Sequence, residues 1–176
     1  MPLVRYATGG YICASPFPYD GIFRRAVLNF KFHNCGAYAE LLSHEMVRSI
    51  KDVYRDRKFD LVTCVPMHKD TLRERGYNQA ELLAKECARL LGIEYADLLA
   101  KTKKNKTQHS IKAVERAKNV IGVYSPIDKN LIKGKRILII DDIITTGSTL
   151  GECARILNKC KCGEICCCTL CTSLLI

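Results

Sequence analysis

The sequence predicts an α/β protein built on a central, mainly parallel sheet flanked by helices. Three observations carry that prediction. Short apolar runs of strand length alternate with amphipathic stretches of helix length. The run Ile137-Leu138-Ile139-Ile140 is apolar at every position, the pattern of a strand covered on both faces. No internal repeat, linker or shift in composition divides the 176 residues, so 1–176 reads as one domain long enough to bury a core.

The elements follow in order. Residues 4–7 and 11–14 flank Thr8-Gly9-Gly10, which predicts a short hairpin within an N-terminal segment 1–20. A helix is predicted from Asp20, with Ile22, Phe23, Ala26, Val27 and Phe30 on one stripe, and a second over 37–53. Residues 59–66 read as a buried strand stopped by Pro66, which has no N–H for a ladder. Asn78 with Glu81 resembles a capping pair. It opens an amphipathic helix through Leu82, Leu83, Cys87, Leu90 and Leu91, and Gly92 ends that helix. Strands are predicted over 98–100, 120–124 and 136–140, a helix over 149–158, and a final strand over 165–170.

Composition bounds the function. With 48% apolar and 26% charged residues, the chain is excluded from the collagen-like, low-complexity and disordered classes. Lys and Arg outnumber Asp and Glu 28 to 18, a balance of +10 that favours phosphate-bearing partners. No apolar run reaches the roughly 18 residues of a membrane helix, so no membrane insertion is expected. Arg5, the Gly9-Gly10 pair and Asp20 break any signal-peptide core, so the expected location is cytoplasmic. In that reducing compartment eleven cysteines do not make a disulfide framework. The dense group Cys160, Cys162, Cys166, Cys167, Cys168 and Cys171 reads as small hydrophobes in a buried strand rather than a metal cluster. Strand alternation would send neighbouring thiols to opposite faces.

The chemistry concentrates in residues 137–149. A buried strand ends in the paired acids Asp141 and Asp142, the position at which open α/β sheets bind ligands. Thr145, Thr146, Gly147, Ser148 and Thr149 then lead into a helix, a loop able to wrap a phosphate with amides, hydroxyls and the helix N-terminus. A helix N-cap would explain one hydroxyl residue, not five positions beside a paired acid. A phosphorylated sugar with free 2′ and 3′ hydroxyls satisfies both the acids and the loop.

These thirteen residues resemble the 5-phosphoribosyl-1-pyrophosphate (PRPP) motif of type I phosphoribosyltransferases. A second segment, Cys64-Val65-Pro66-Met67-His68-Lys69 followed by Leu72-Arg73-Glu74-Arg75-Gly76-Tyr77-Asn78-Gln79-Ala80-Glu81, resembles the competence-protein ComF family of phosphoribosyltransferase-like proteins. Gln108, Arg116, Asn119-Val120 and Gly122 match as well, so the resemblance runs from about residue 21 to 170. It implies a type I phosphoribosyltransferase fold. Asp141 and Asp142 would be the catalytic acids, holding the ribose hydroxyls and, indirectly through Mg²⁺-PRPP, the metal. Residues 145–149 would hold the 5′-phosphate. Met67, His68 and Lys69, with Arg73 and Arg75, would contact pyrophosphate. As residues alone, His68 reads equally as a solvent-facing turn residue, and Arg73 and Arg75 as solvated charges. Thr145 stands where many purine-salvage members have Asp, which follows the orotate-type pattern instead.

Residues 101–118 carry seven basic residues against one acid, Glu115, and include Gln108 and Arg116. They read as a flexible loop closing over PRPP, as a DNA-backbone patch, or as a solvated face. Many members of the family begin with a four-cysteine zinc ribbon, whereas only Cys13 and Cys35 lie in the first sixty residues here. The resemblance implies binding or transfer of a 5-phosphoribosyl group with Mg²⁺, in association with natural competence and DNA uptake. The alternative is a non-catalytic accessory protein that contacts single-stranded DNA or competence proteins such as a DNA helicase. The acceptor is not legible: the chain has no Trp and no aromatic-rich hood.

Overall fold

A computed structural model of the chain describes residues 1–32, 36–103 and 120–173. In chain order the elements are β1 (Leu3–Ala7), β2 (Tyr11–Ser15), β3 (Phe17–Pro18), α1 (Gly21–Phe32), α2 (Gly36–Val53), β4 (Leu61–Cys64), α3 (Lys69–Arg75) and α4 (Gln79–Leu91). There follow β5 (Glu94–Tyr95), β6 (Leu99–Lys101), β7 (Tyr124–Pro126), α5 (Lys129–Ile132), β8 (Arg136–Ile144), α6 (Ser148–Lys159) and β9 (Glu164–Thr172). Seven strands form the main sheet in the order β1-β2-β9-β8-β4-β5, with β3 beside β9. Only the β1–β2 hairpin is antiparallel within it. Strands β6 and β7 make a separate antiparallel ribbon.

The apolar run that suggested a two-sided strand is the axis of the sheet. Ile137 to Ile140 are all fully buried, and successive side chains alternate between two cores. Leu138 and Ile140 join Met46, Ile50, Leu83 and Cys87 under α1, α2 and α4. Ile137 and Ile139 join Leu98, Tyr124, Ile132, Leu150 and Leu157 under the ribbon, α5 and α6. Strand β9 obeys the same rule: Cys166 and Cys168 lie in the first core, Cys167 in the second. The crowded thiols are therefore split between two faces, as the alternation argument requires.

Two expectations shift. Strand β8 runs to Ile144 rather than stopping at Ile140, because β9 keeps pairing with it through Asp141↔Thr169 and Ile144↔Thr172 after β4 has ended at Cys64↔Ile140. The strand expected over 120–124 is instead a turn around Gly122, whose φ is +70°, followed by β7 at Tyr124. A positive φ at that position breaks an extended run.

Candidate functional site

The ends of β4 and β8 diverge, and the site opens where they part. Beyond Val65, whose N–H donates to Ile140 O at 2.9 Å, the chain leaves the sheet and turns into α3. Asn78 fixes this turn. Its Nδ2 donates to Val65 O at 3.1 Å, while its Oδ1 accepts from Ala80 N at 3.1 Å as the N-cap of α4. One buried side chain thus ties the segment after β4 to the start of the helix behind it. Gly76, the left-handed C-cap of α3, makes the intervening bend at φ +82°, and the Tyr77 hydroxyl donates to Phe30 O of α1.

His68 is not a solvent-facing turn residue. It is buried, and its Nδ1 caps α3, 3.3 Å from the Asp70 N–H and 3.5 Å from the Asp70 Oδ2. A cleft of about 270 Å³ lies against this turn. Of the residues singled out in the sequence, Met67, His68, Arg75, Asp141, Asp142 and Thr149 line it. Lys69 and Arg73 do not: α3 carries both on its exposed side, so of the paired arginines only Arg75 reaches the cleft. Gln108 and Arg116 lie outside the described residues.

A second, smaller concavity of about 30 Å³ is ringed by Asp141 and residues 143–150, so all five loop residues 145–149 gather around one point. Asp141 and Thr149 line both spaces and join them. The loop residues do not serve as a conventional cap. The N-cap of α6 is Gly147, in left-handed conformation, with no side-chain cap bond, and Thr146 Oγ1 meets the Ser148 N–H only at 3.4 Å. The first turn of a twelve-residue helix is left open to an anion.

Sequence reasoning missed the roof. Lys101 of β6 and Tyr124 of β7 line the cleft, with the Lys101 ammonium 5.7 Å from the Tyr124 ring centroid. Burial lowers the Lys101 pKa, and the nearby Asp141 charge opposes that shift. Burial likewise pushes the Tyr124 phenol well up. Lys101 is the first residue of the basic stretch, and nothing local marks it off from its neighbours. The antiparallel pairing Lys101↔Tyr124 places it. Gln79, which the sequence marks only as part of the second segment and gives no role, is a buried amide in the cleft wall.

Among the described residues no three His, Cys, Asp or Glu side chains converge on a metal position. Asp141 and Asp142 are hard oxygen donors, and two carboxylates are what Mg²⁺ uses when a phosphate ligand supplies its other oxygens. The donor set fits an ion arriving with its ligand.

A phosphoribosyl transferase domain model matches residues 78–174. Competence protein F of Haemophilus influenzae is 31% identical over 144 residues, covering 79% of this chain and 63% of that protein. Competence protein ComFC of Bacillus subtilis is 31% identical over 158 residues, 86% of this chain and 60% of that one. The chain belongs to the ComF family of phosphoribosyltransferase-like proteins. It spans less than two thirds of the length of these relatives. Among solved structures, the glutamine PRPP amidotransferase of B. subtilis, complexed with ADP and GMP, aligns with a TM-score of 0.54 at 16% identity. The match covers 80% of this chain and 30% of that one. With the mainly parallel sheet, this establishes the type I phosphoribosyltransferase fold. Among the described residues no helix is long and apolar enough to cross a membrane.

Proposed function

We propose that this ComF-family chain binds Mg²⁺-PRPP across its two joined spaces and transfers the 5-phosphoribosyl group to an acceptor in the cytoplasm. The observation that carries this reading is the sharing of Asp141 and Thr149 between the cleft and the loop concavity. A ribose held by Asp141 and Asp142 in the cleft would have its 5′-phosphate at residues 145–149 and its pyrophosphate toward Met67, His68 and Arg75. Mg²⁺, when bound, would neutralise pyrophosphate charge. The Asp141 and Asp142 oxygens would accept the ribose hydroxyls. Amides and hydroxyls of the loop would take the 5′-phosphate, and Arg75 and Lys101 would add positive charge around the leaving group. The C1′–O bond breaks with its electron pair leaving on pyrophosphate, and the acceptor forms the new bond at C1′. No protein nucleophile is required, so positioning and charge supply the rate.

Thermal melts test this. Mg²⁺-PRPP at about a hundred times its Kd should raise the midpoint by about 5–10 °C. Replacing Asp141 and Asp142 together by Asn keeps the shape and should abolish the rise, because neutral amides are weaker acceptors for hydroxyls and do not attract Mg²⁺. An unshifted parent, or an Asn double variant that shifts as much, refutes the site.

A second reading is supported by the names of the competence relatives and the +10 balance: an accessory role in DNA uptake, with single-stranded DNA or a competence helicase as partner. A labelled oligonucleotide should then bind without sequence preference and fall away steeply between low and physiological salt. Replacing Lys103, Lys104 and Lys106 by Ala should remove that binding. Oligonucleotide binding that ignores salt, or survives the triple replacement, rejects the basic stretch as the contact.

A further inference from the structure

The N-terminal hairpin has no part in the reading above, yet it lies against the loop on which that reading depends. On β1, the Arg5 guanidinium donates to Thr145 O at 3.4 Å and to Ser173 O. Three residues on, Thr8 N donates to Gly147 O at 3.2 Å. The approach is close enough to dictate sequence. A Cβ on Gly147 would lie 2.7 Å from Ala7 Cα, and one on Gly151 would lie 2.3 Å from Thr8 O. Glycine at both positions is what admits the hairpin.

The Arg5 bond constrains which way the peptide between Thr145 and Thr146 faces. In a trans peptide the C=O of one residue and the N–H of the next point in opposite directions. With Thr145 O held by Arg5, the N–H of Thr146 turns away from the hairpin; Gly147 O takes Thr8 N at 3.2 Å and also Gly151 N at 2.9 Å, so there the hairpin adds to a direction that α6 already sets. No hairpin residue lines the concavity ringed by 143–150, so that is the side open to the Thr146 amide, next to a Ser148 N–H that meets Thr146 Oγ1 at 3.4 Å. A carbonyl rotated into this space would repel a phosphate, whereas an N–H binds it.

We infer that Arg5 is a positioning residue for anion binding: it holds the Thr145 carbonyl outside the concavity, so that the loop presents amides to a bound phosphate. The inference rests on the reading of residues 145–149 as a phosphate cradle and extends it to a strand about 140 residues away in sequence. Arg5 touches no ligand itself. Its charge adds to the field at the loop, but its two carbonyl bonds are what set the geometry.

The test uses the full chain titrated with Mg²⁺-PRPP and, separately, with inorganic phosphate, while the ¹⁵N amide signals of Thr146 and Ser148 are followed. Arg5→Ala should weaken both ligands by about tenfold or more, the worth of a charge-assisted bond, and should abolish the phosphate-induced shift of the Thr146 amide. Arg5→Lys keeps the charge and one bond, and should recover part of the affinity. Cys13→Ala opens a void in the neighbouring strand β2 without touching the loop. It should lower the melting point while leaving affinity and amide shifts unchanged. If the parent binds and Arg5→Ala binds equally, or if Cys13→Ala weakens binding as much as Arg5→Ala, the positioning role is overturned and the proposed function stands. A parent that binds neither ligand overturns both.

Discussion

Burial sets the chemistry of each thiol in a chain unusually rich in them. Cys13, Cys64 and Cys87 are enclosed by the core, and burial pushes each thiol up to about 12. The same desolvation drives Cys153, Cys167 and Cys168 well above the ordinary thiol value. Cys160 and Cys162, at the end of α6 and in the turn after it, are partly exposed. Access decides the rate, so at pH 8 iodoacetamide should label Cys160 first and Cys162, whose thiol partial burial raises, more slowly, and leave the eight buried thiols among the described residues unlabelled until denaturant is added. Peptide mass mapping reads this directly, and early labelling of Cys167 or Cys168 would contradict the two-core placement. The sequence shows the apolar setting of the thiols but cannot give the depth of each. Lys101 shows the same limit from the opposite side. As a residue type it belongs with the solvated lysines that follow it, and only its pairing with Tyr124 encloses it.

At the scale of elements, patterns that close within a few residues were legible and patterns that need a partner strand were not. Asn78 and Gly92 bracket α4 as expected, because a cap is a local event. The seven-residue α3 was not foreseen: it is too short for a periodic stripe, and its cap is a histidine. The extent of β8 depends on β9, which no local signal reveals. At its other end, β8 is anchored by a fork: Arg136 donates through Nε and Nη2 to the two Asp60 oxygens at 3.0 and 2.6 Å, and Arg136 N adds a third bond at 2.8 Å. These bonds hold the Asp60 carboxyl well below its ordinary 3.8. A depressed folded-state value means the stabilisation is complete above pH 4 and is lost as pH falls below that point. Asp60→Asn should therefore melt below the parent at pH 7, and the gap should narrow steadily as the buffer falls from pH 4 toward pH 2. A gap that persists undiminished in acid would mean the carboxylate charge is not the source.

At the scale of the molecule, the cleft lies at the carboxyl ends of the parallel strands β4 and β8. The acids and the hydroxyl loop were readable because they are contiguous. The wall facing them is assembled from β4, α3, α4 and the ribbon, segments separated by tens of residues, and only part of it was marked by a motif. The hairpin was readable as a hairpin, but nothing in residues 3–15 announces that Arg5 and Thr8 reach the loop at 145–147.

The sheet order carries a consequence for how the chain is made. Strand β9 sits between β2 and β8, although residues 164–172 are translated after both. Until β9 emerges, β2 and β8 cannot be neighbours in one sheet, and each keeps an unpaired, largely apolar edge where β9 will lie. Every earlier element can collapse onto its neighbours, but the two parts of the sheet join only when that cysteine-rich strand emerges, and Ser173 O then becomes available to Arg5. The sheet stays in two parts until β9 is made, and a nascent chain stalled before that point is the form most in need of a chaperone.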